Sequence, residues 1–190
     1  MAISWLFLIP LGATIIRFLG KTFPRPVPLY LHAGLQVFTF CLAIIGFSMG
    51  IYTSALNKNH FTNVHQGLGV VVMTLFFLQI PMGHIHHVNF ASTGKRGVWS
   101  YAHIWNGRTV MALGIINGGL GLDFAGIKNP NDEYSGGLVD RKWVIAYAVV
   151  AAIVGSFYVC GLILKSLLER RIKEKREKIP ESVRLTSGWR

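Results

Sequence analysis

Residues 64–85 read VHQGLGVVVMTLFFLQIPMGHI, from Val64 to Ile85, without one Asp, Glu, Lys or Arg. As a helix rising about 1.5 Å per residue, this stretch is about 33 Å long. The hydrocarbon core of a bilayer is about 30 Å thick, so the segment spans it once. Three further runs have the same length and character: Leu29 to Tyr52, Trp99 to Leu122 and Trp143 to Leu164. A shorter run, Ala2 to Ile16, opens the chain and stops at Arg17. No basic segment precedes it and no small-residue cleavage site follows, so it reads as a spanning helix short of its first few residues rather than a signal peptide. The expected fold class is therefore all-α integral membrane, with five transmembrane helices joined by short polar connections.

Composition agrees. The 190 residues are 52% apolar and 14% charged, with a net charge of +11, whereas soluble domains are roughly 25% charged. So much apolar surface excludes a disordered chain. The scarcity of charge excludes a nucleic-acid binder with a basic polar face. Residues 165–190 hold nine of the 19 Lys and Arg. This divides the chain into a transmembrane domain, residues 1–168, and a basic tail, residues 169–190. Basic residues near the helix ends set the orientation. With five spans, fourteen lie on one side, including Arg17, Lys21, Arg25, Lys95, Arg96 and the tail, against four on the other, Lys58, Lys128, Arg141 and Lys142. The tail is then cytoplasmic, facing anionic lipid heads. Cys41 and Cys160 both lie in apolar runs and read as packing residues.

Ionisable residues inside spans are rare and usually functional. His32, His65 and His103 each sit three or four residues past the start of a separate run. In the alternating orientation His32 and His103 share the cytoplasmic depth, and His65 lies near the outer face. Two imidazoles at one depth on different helices can hold a metal from both sides. Gly69 follows His65 by four and Gly107 follows His103 by four. Glycines on the face of the histidine let a flat macrocycle lie close to the helix, or let two helices approach. No Asp, Glu or paired Cys accompanies the set, so the expected cofactor is haem b with two imidazole ligands rather than zinc. By the same geometry the partner of His65 belongs at the outer end of the first helix, upstream of Met1, leaving one haem site complete and a second lacking one ligand. Arg108, one turn deeper than His103, can pair with a haem propionate, a backbone carbonyl or a polar side chain.

The phrases Trp5-Leu-Phe-Leu-Ile-Pro-Leu-Gly12 with Arg17, His32-Ala-Gly-Leu-Gln36, His65-Gln-Gly-Leu-Gly69, His103-Ile-Trp-Asn-Gly-Arg108 and Asn117-Gly-Gly-Leu-Gly121 resemble the cytochrome b561 family. The likeness is to the membrane domain that follows a DOMON domain in fungal and plant proteins, and it covers residues 1 to about 165. It implies that the first four helices form a four-helix core with two b haems and that electrons cross the membrane. The donor would be ascorbate or a partner haem domain, and the acceptor ferric iron or monodehydroascorbate. His32 and His103 match the cytoplasmic ligand pair and His65 one outer ligand. The Ser-Leu-His-Ser-Trp motif of the ascorbate-reducing members is absent. Partners implied are membrane lipid, small redox molecules and a DOMON haem domain, with no nucleic acid. Two competing readings are a metal-ion permease or metal-binding membrane protein using His84, His86 and His87, and a membrane anchor without working haem.

Overall fold

The computed structural model describes residues 2–20, 22–24, 26–56, 58, 60–126 and 139–178. The expectations placed on Lys21, Arg25, Lys128 and the tail from 179 onward lie outside the described residues. All elements among the described residues are helical. The first, α1, runs Ser4–Leu19. It is followed by α2 (Val27–Leu56), α3 (Val64–Thr93), α4 (Val98–Gly126) and α5 (Arg141–Glu177). The last four are long and apolar enough to cross a membrane; α1 is apolar but shorter.

Each helix satisfies its own backbone, as a bilayer demands. Asn63 caps α3, its side chain accepting from the His65 amide at 2.8 Å. Gly94 ends α3 at φ 64°, a left-handed conformation that glycine adopts without a Cβ penalty. Threonine hydroxyls turn back on their own helix: buried Thr39 donates to the Leu35 carbonyl at 2.7 Å, and half-buried Thr14 to the Pro10 carbonyl at 2.7 Å. The α1 segment is irregular, with single π-helical turns over Ser4–Leu8 and Ile15–Leu19 on either side of a short α-helical stretch containing Pro10. Such wide turns are uncommon and often mark functional segments.

The helices extend beyond the apolar runs. α2 continues to Leu56 and α4 to Gly126. α3 continues to Thr93, which takes His86 and His87 into the helix where the sequence suggested a connection. Hydropathy marks only the stretch that needs lipid. The helical hydrogen bonds continue past it.

By its internal contacts the chain divides after Ala151. In the first unit α3 and α4 form the most extensive helix pair, and α1 packs on α2 and α4. Their shared core is Trp5, Leu6, Ile9, Ala43, Val72, Met73, Phe76 and Val110, all buried. Trp5 occupies the space above Gly114, where a Cβ would collide with its indole. It also meets Phe76 at 5.3 Å between ring centres, and Phe40 stands edge-on to Phe76 at 5.2 Å and to Phe77 at 4.9 Å. The first turns of α5 belong to this unit too. Tyr147 lies over Gly118 and Gly119 and donates to the Ile115 carbonyl at 2.9 Å. Outward-facing Val37, Ile45, Val71, Leu78 and Ile116 are exposed, as expected of surface meant for lipid. In the second unit α5 runs on from an apolar stretch into Glu169, Arg170, Arg171, Lys173 and Glu174, all exposed.

Candidate functional site

The α3–α4 pair is antiparallel with a regular register built on glycine. A Cβ on Gly69 would lie 3.3 Å from the Asn117 amide nitrogen. One on Gly121 would lie 2.6 Å from Cε1 of His65. At the other end, a Cβ on Gly107 would lie 2.6 Å from the Gln79 amide, and one on Gly83 would lie 2.9 Å from Cε1 of His103. Each step of four along one helix matches a step of four back along the other. The sequence His-x-x-x-Gly therefore faces amide-x-x-x-Gly twice, once near each end of the pair. Gly69 and Gly107 thus receive amide side chains from the facing helix, and the two imidazoles rest on glycines that the spacing had not singled out, Gly121 and Gly83.

The two ends are far apart. On α3, His65 and Gly83 are separated by eighteen residues, about 27 Å of helix, which is close to the full hydrocarbon thickness.

At the Gly83 end His32 of α2 joins His103 of α4. Their ring centres are 6.4 Å apart with planes at 87°. His32 Nδ1 is 2.8 Å from the Gly12 carbonyl of α1. A carbonyl only accepts, so Nδ1 carries the proton and Nε2 keeps its lone pair, the form in which imidazole ligates a metal. The close approach of α1 needs Gly12, where a Cβ would collide with the Gln36 amide; that amide donates to the Ile9 carbonyl at 3.2 Å. His103 Nδ1 is buried without a hydrogen-bond partner, which is uncommon for a buried polar atom. Gln79 secures the backbone instead, donating to the His103 carbonyl at 2.8 Å. Gln79 in turn accepts from Asn106 at 2.7 Å, and Asn106 also donates to the Leu75 carbonyl at 2.9 Å.

Two further imidazoles stand beside His103. The His86 ring is 5.8 Å away and nearly parallel, and His87 is 6.2 Å away. Ser100, buried at the start of α4, meets His86 Nδ1 at 2.6 Å. The sequence grouped His86 and His87 with His84, on α3 alone; the helical extension past Ile85 brings the first two against α4.

At the far end His65 Nδ1 lies 3.0 Å from both the backbone carbonyl and the side-chain oxygen of Asn117. Phe124 stacks on the ring at 6.3 Å. Arg108 sits over the Trp105 ring at 5.1 Å, a cation–π contact near the exposed face of α4. Cys41 and Cys160 are both exposed and unpaired in disulfides.

Two imidazoles sharing one metal, each nitrogen about 2 Å from it, place their ring centres about 6 Å apart. The His32–His103 separation meets that condition, as do those of His86 and His87 from His103; His32 is the one of the three that comes from α2. Among the described residues no group of three His, Cys, Asp or Glu converges to hold a bare metal ion. A haem asks the protein for two axial ligands only, since the macrocycle supplies the rest. The donor set therefore fits haem iron better than zinc.

Comparison with known proteins agrees with this chemistry. A family profile described as "Eukaryotic cytochrome b561" matches residues 1–128. Several cytochrome b561 and DOMON domain-containing proteins of Arabidopsis thaliana are similar. One is 29% identical over 173 residues, covering 87% of this chain and 37% of the relative. A second is 31% identical over 117 residues, covering 61% of this chain and 28% of the relative. A third is 27% identical over 150 residues, covering 78% and 36%. The chain thus spans well under half the length of these relatives. No solved structure matches it.

Proposed function

The chain belongs to the eukaryotic cytochrome b561 family, membrane proteins that bind b-type haem and carry electrons, and from that premise we propose that it moves single electrons across a bilayer through haem held by its own histidines. The observation that carries the reading is the His32–His103 pair, on different helices and at ligand-sharing separation. His32 presents Nε2 because the Gly12 carbonyl holds its Nδ1 proton. His103 is steadied from its backbone by Gln79. His65 is one ligand of a second site near the opposite face. Gly69, Gly107 and Arg108 shape the surroundings of these ligands.

Haem supplies an iron that takes and gives one electron without a change of bonding partners. The protein sets the depth, the ligand nitrogen and the dryness of the surroundings, and these tune the potential. One elementary charge crossing the field exchanges about 2.3 kcal/mol per 100 mV, so placing sites near both faces makes the transfer sensitive to membrane potential. We place five spans in the membrane, the first four as the haem core, with residues 1–168 as the transmembrane domain and residues 169–190 as a cytoplasmic basic tail. The donor is a small reductant such as ascorbate or a partner haem domain, such as the DOMON domain named in the relatives. The acceptor is an oxidant such as ferric iron.

Purified chain in vesicles with ascorbate trapped inside and a ferric chelate outside tests this. The expected result is chain-dependent reduction of the external chelate, abolished in His103→Ala. Equal reduction by empty vesicles, or an unaffected His103→Ala, contradicts it.

A further inference from the structure

The four-residue register of α3 against α4 places an amide side chain near each histidine, and the two amides are used differently. Gln79, opposite Gly107, spends its groups on the His103 backbone and on Asn106. Asn117, opposite Gly69, turns both its oxygens on the ring of His65: backbone carbonyl and Oδ1 each lie 3.0 Å from Nδ1. A backbone carbonyl has no proton to give. Nδ1 is therefore the donor, and Nε2 carries the lone pair. The side-chain oxygen adds a second acceptor to the same N–H. Gly121 completes the seat, because a Cβ there would be 2.6 Å from Cε1 and would lift the ring off α4.

We propose that Asn117 is the positioning residue of His65, holding its imidazole in the Nδ1–H tautomer with Nε2 available to a metal. Partners of this kind orient a ligating imidazole and raise its basicity. Asn117 touches neither metal nor substrate; it acts through His65. The use of Nε2 by haem iron rests on the reading given under the proposed function. The tautomer does not.

Selective nitrogen-15 labelling of histidine, in the full chain in detergent micelles, separates the two claims. His65 is assigned by loss of its signals in His65→Gln. The expected wild-type spectrum has protonated Nδ1 and unprotonated Nε2 at His65, with the Nδ1 proton exchanging slowly. In Asn117→Ala the backbone carbonyl still accepts, so the tautomer persists while that proton exchanges about tenfold faster, as loss of one hydrogen bond implies. Asn117→Asp restores slow exchange. Gln79→Ala leaves the His65 signals unchanged and controls for general loosening of the α3–α4 pair. Protonated Nε2 in the wild type, or exchange unaltered in Asn117→Ala with helicity intact, overturns the proposal. Haem content, measured in parallel, reports on the functional reading alone. Haem-free protein with the expected tautomer would sink the cytochrome function of the site and leave the positioning role standing.

Discussion

His103 shows how tightly one side chain is fitted. Its ring rests on Gly83, where any Cβ would be 2.9 Å from Cε1. Gly83→Ala should therefore push the imidazole off its seat and lower haem occupancy to half or less, with helicity unchanged by circular dichroism. Gly34→Ala is the matched control, because a Cβ there meets nothing within 4 Å; its occupancy should equal wild type. Gln79 makes a different kind of contribution. Gln79→Leu removes the hydrogen bonds of Gln79 to Asn106 and to the His103 carbonyl while Asn106 keeps the Leu75 carbonyl, and each lost bond costs about 0.5–1.5 kcal/mol. A lower unfolding temperature in detergent, with the haem spectrum broadly kept, is the expected outcome. The histidines themselves were legible in the sequence, since an ionisable residue in an apolar run stands out. Their partners were not. A backbone carbonyl such as Gly12 carries no residue signature, and Asn117 looks like any polar residue until α4 is set against α3. The signal available was the repeated four-residue spacing, with Gln79-x-x-x-Gly83 answering His103-x-x-x-Gly107 and Asn117-x-x-x-Gly121 answering His65-x-x-x-Gly69.

Among the elements, α1 has the most to explain. It is shorter than a span and irregular, yet it contributes Trp5, Leu6 and Ile9 to the buried core and the carbonyl that orients His32. Its anchor is Trp5, wedged between Gly114 and Phe76. Trp5→Ala removes a buried indole and should cost about 3–5 kcal/mol by analogy with soluble cores. Because the loss frees α1 from α4, haem at the His32–His103 pair should also become easier to extract, measured as faster transfer to apomyoglobin. Unchanged stability would mean that α1 is held by α2 alone. The four long helices were readable from hydropathy, because twenty apolar residues have few other uses. Their ends were not, as α3 shows. The bilayer constrains the middle of a helix by solvation, while its ends follow caps such as Asn63 and Gly94. The continuation through His86 and His87 is what sets four imidazoles around one end of the α3–α4 pair.

For the whole molecule, the account requires two redox levels near opposite faces. The α3–α4 register sets a histidine against a glycine at two points about 27 Å apart along α3, and the proposed sites lie there. The proposed orientation rests on the charge asymmetry. With Cys41 and Cys160 replaced by alanine, Lys178→Cys should label with an impermeant reagent only from the cytoplasmic side, and Lys58→Cys only from the opposite side. Reversed labelling would exchange the donor and acceptor faces. Membership of the family was legible because its phrases surround His32, His65 and His103. The partners and the direction of flow were not, because they depend on surfaces and domains that carry no comparable pattern in this chain. The most direct test of the central claim is the haem-to-chain ratio of purified protein, read with its reduced-minus-oxidised spectrum. The account predicts b-type haem with two imidazole ligands, the share bound at the His32–His103 pair being lost in His32→Ala and in His103→Ala. Haem retained with an unchanged spectrum in both His32→Ala and His103→Ala would contradict it.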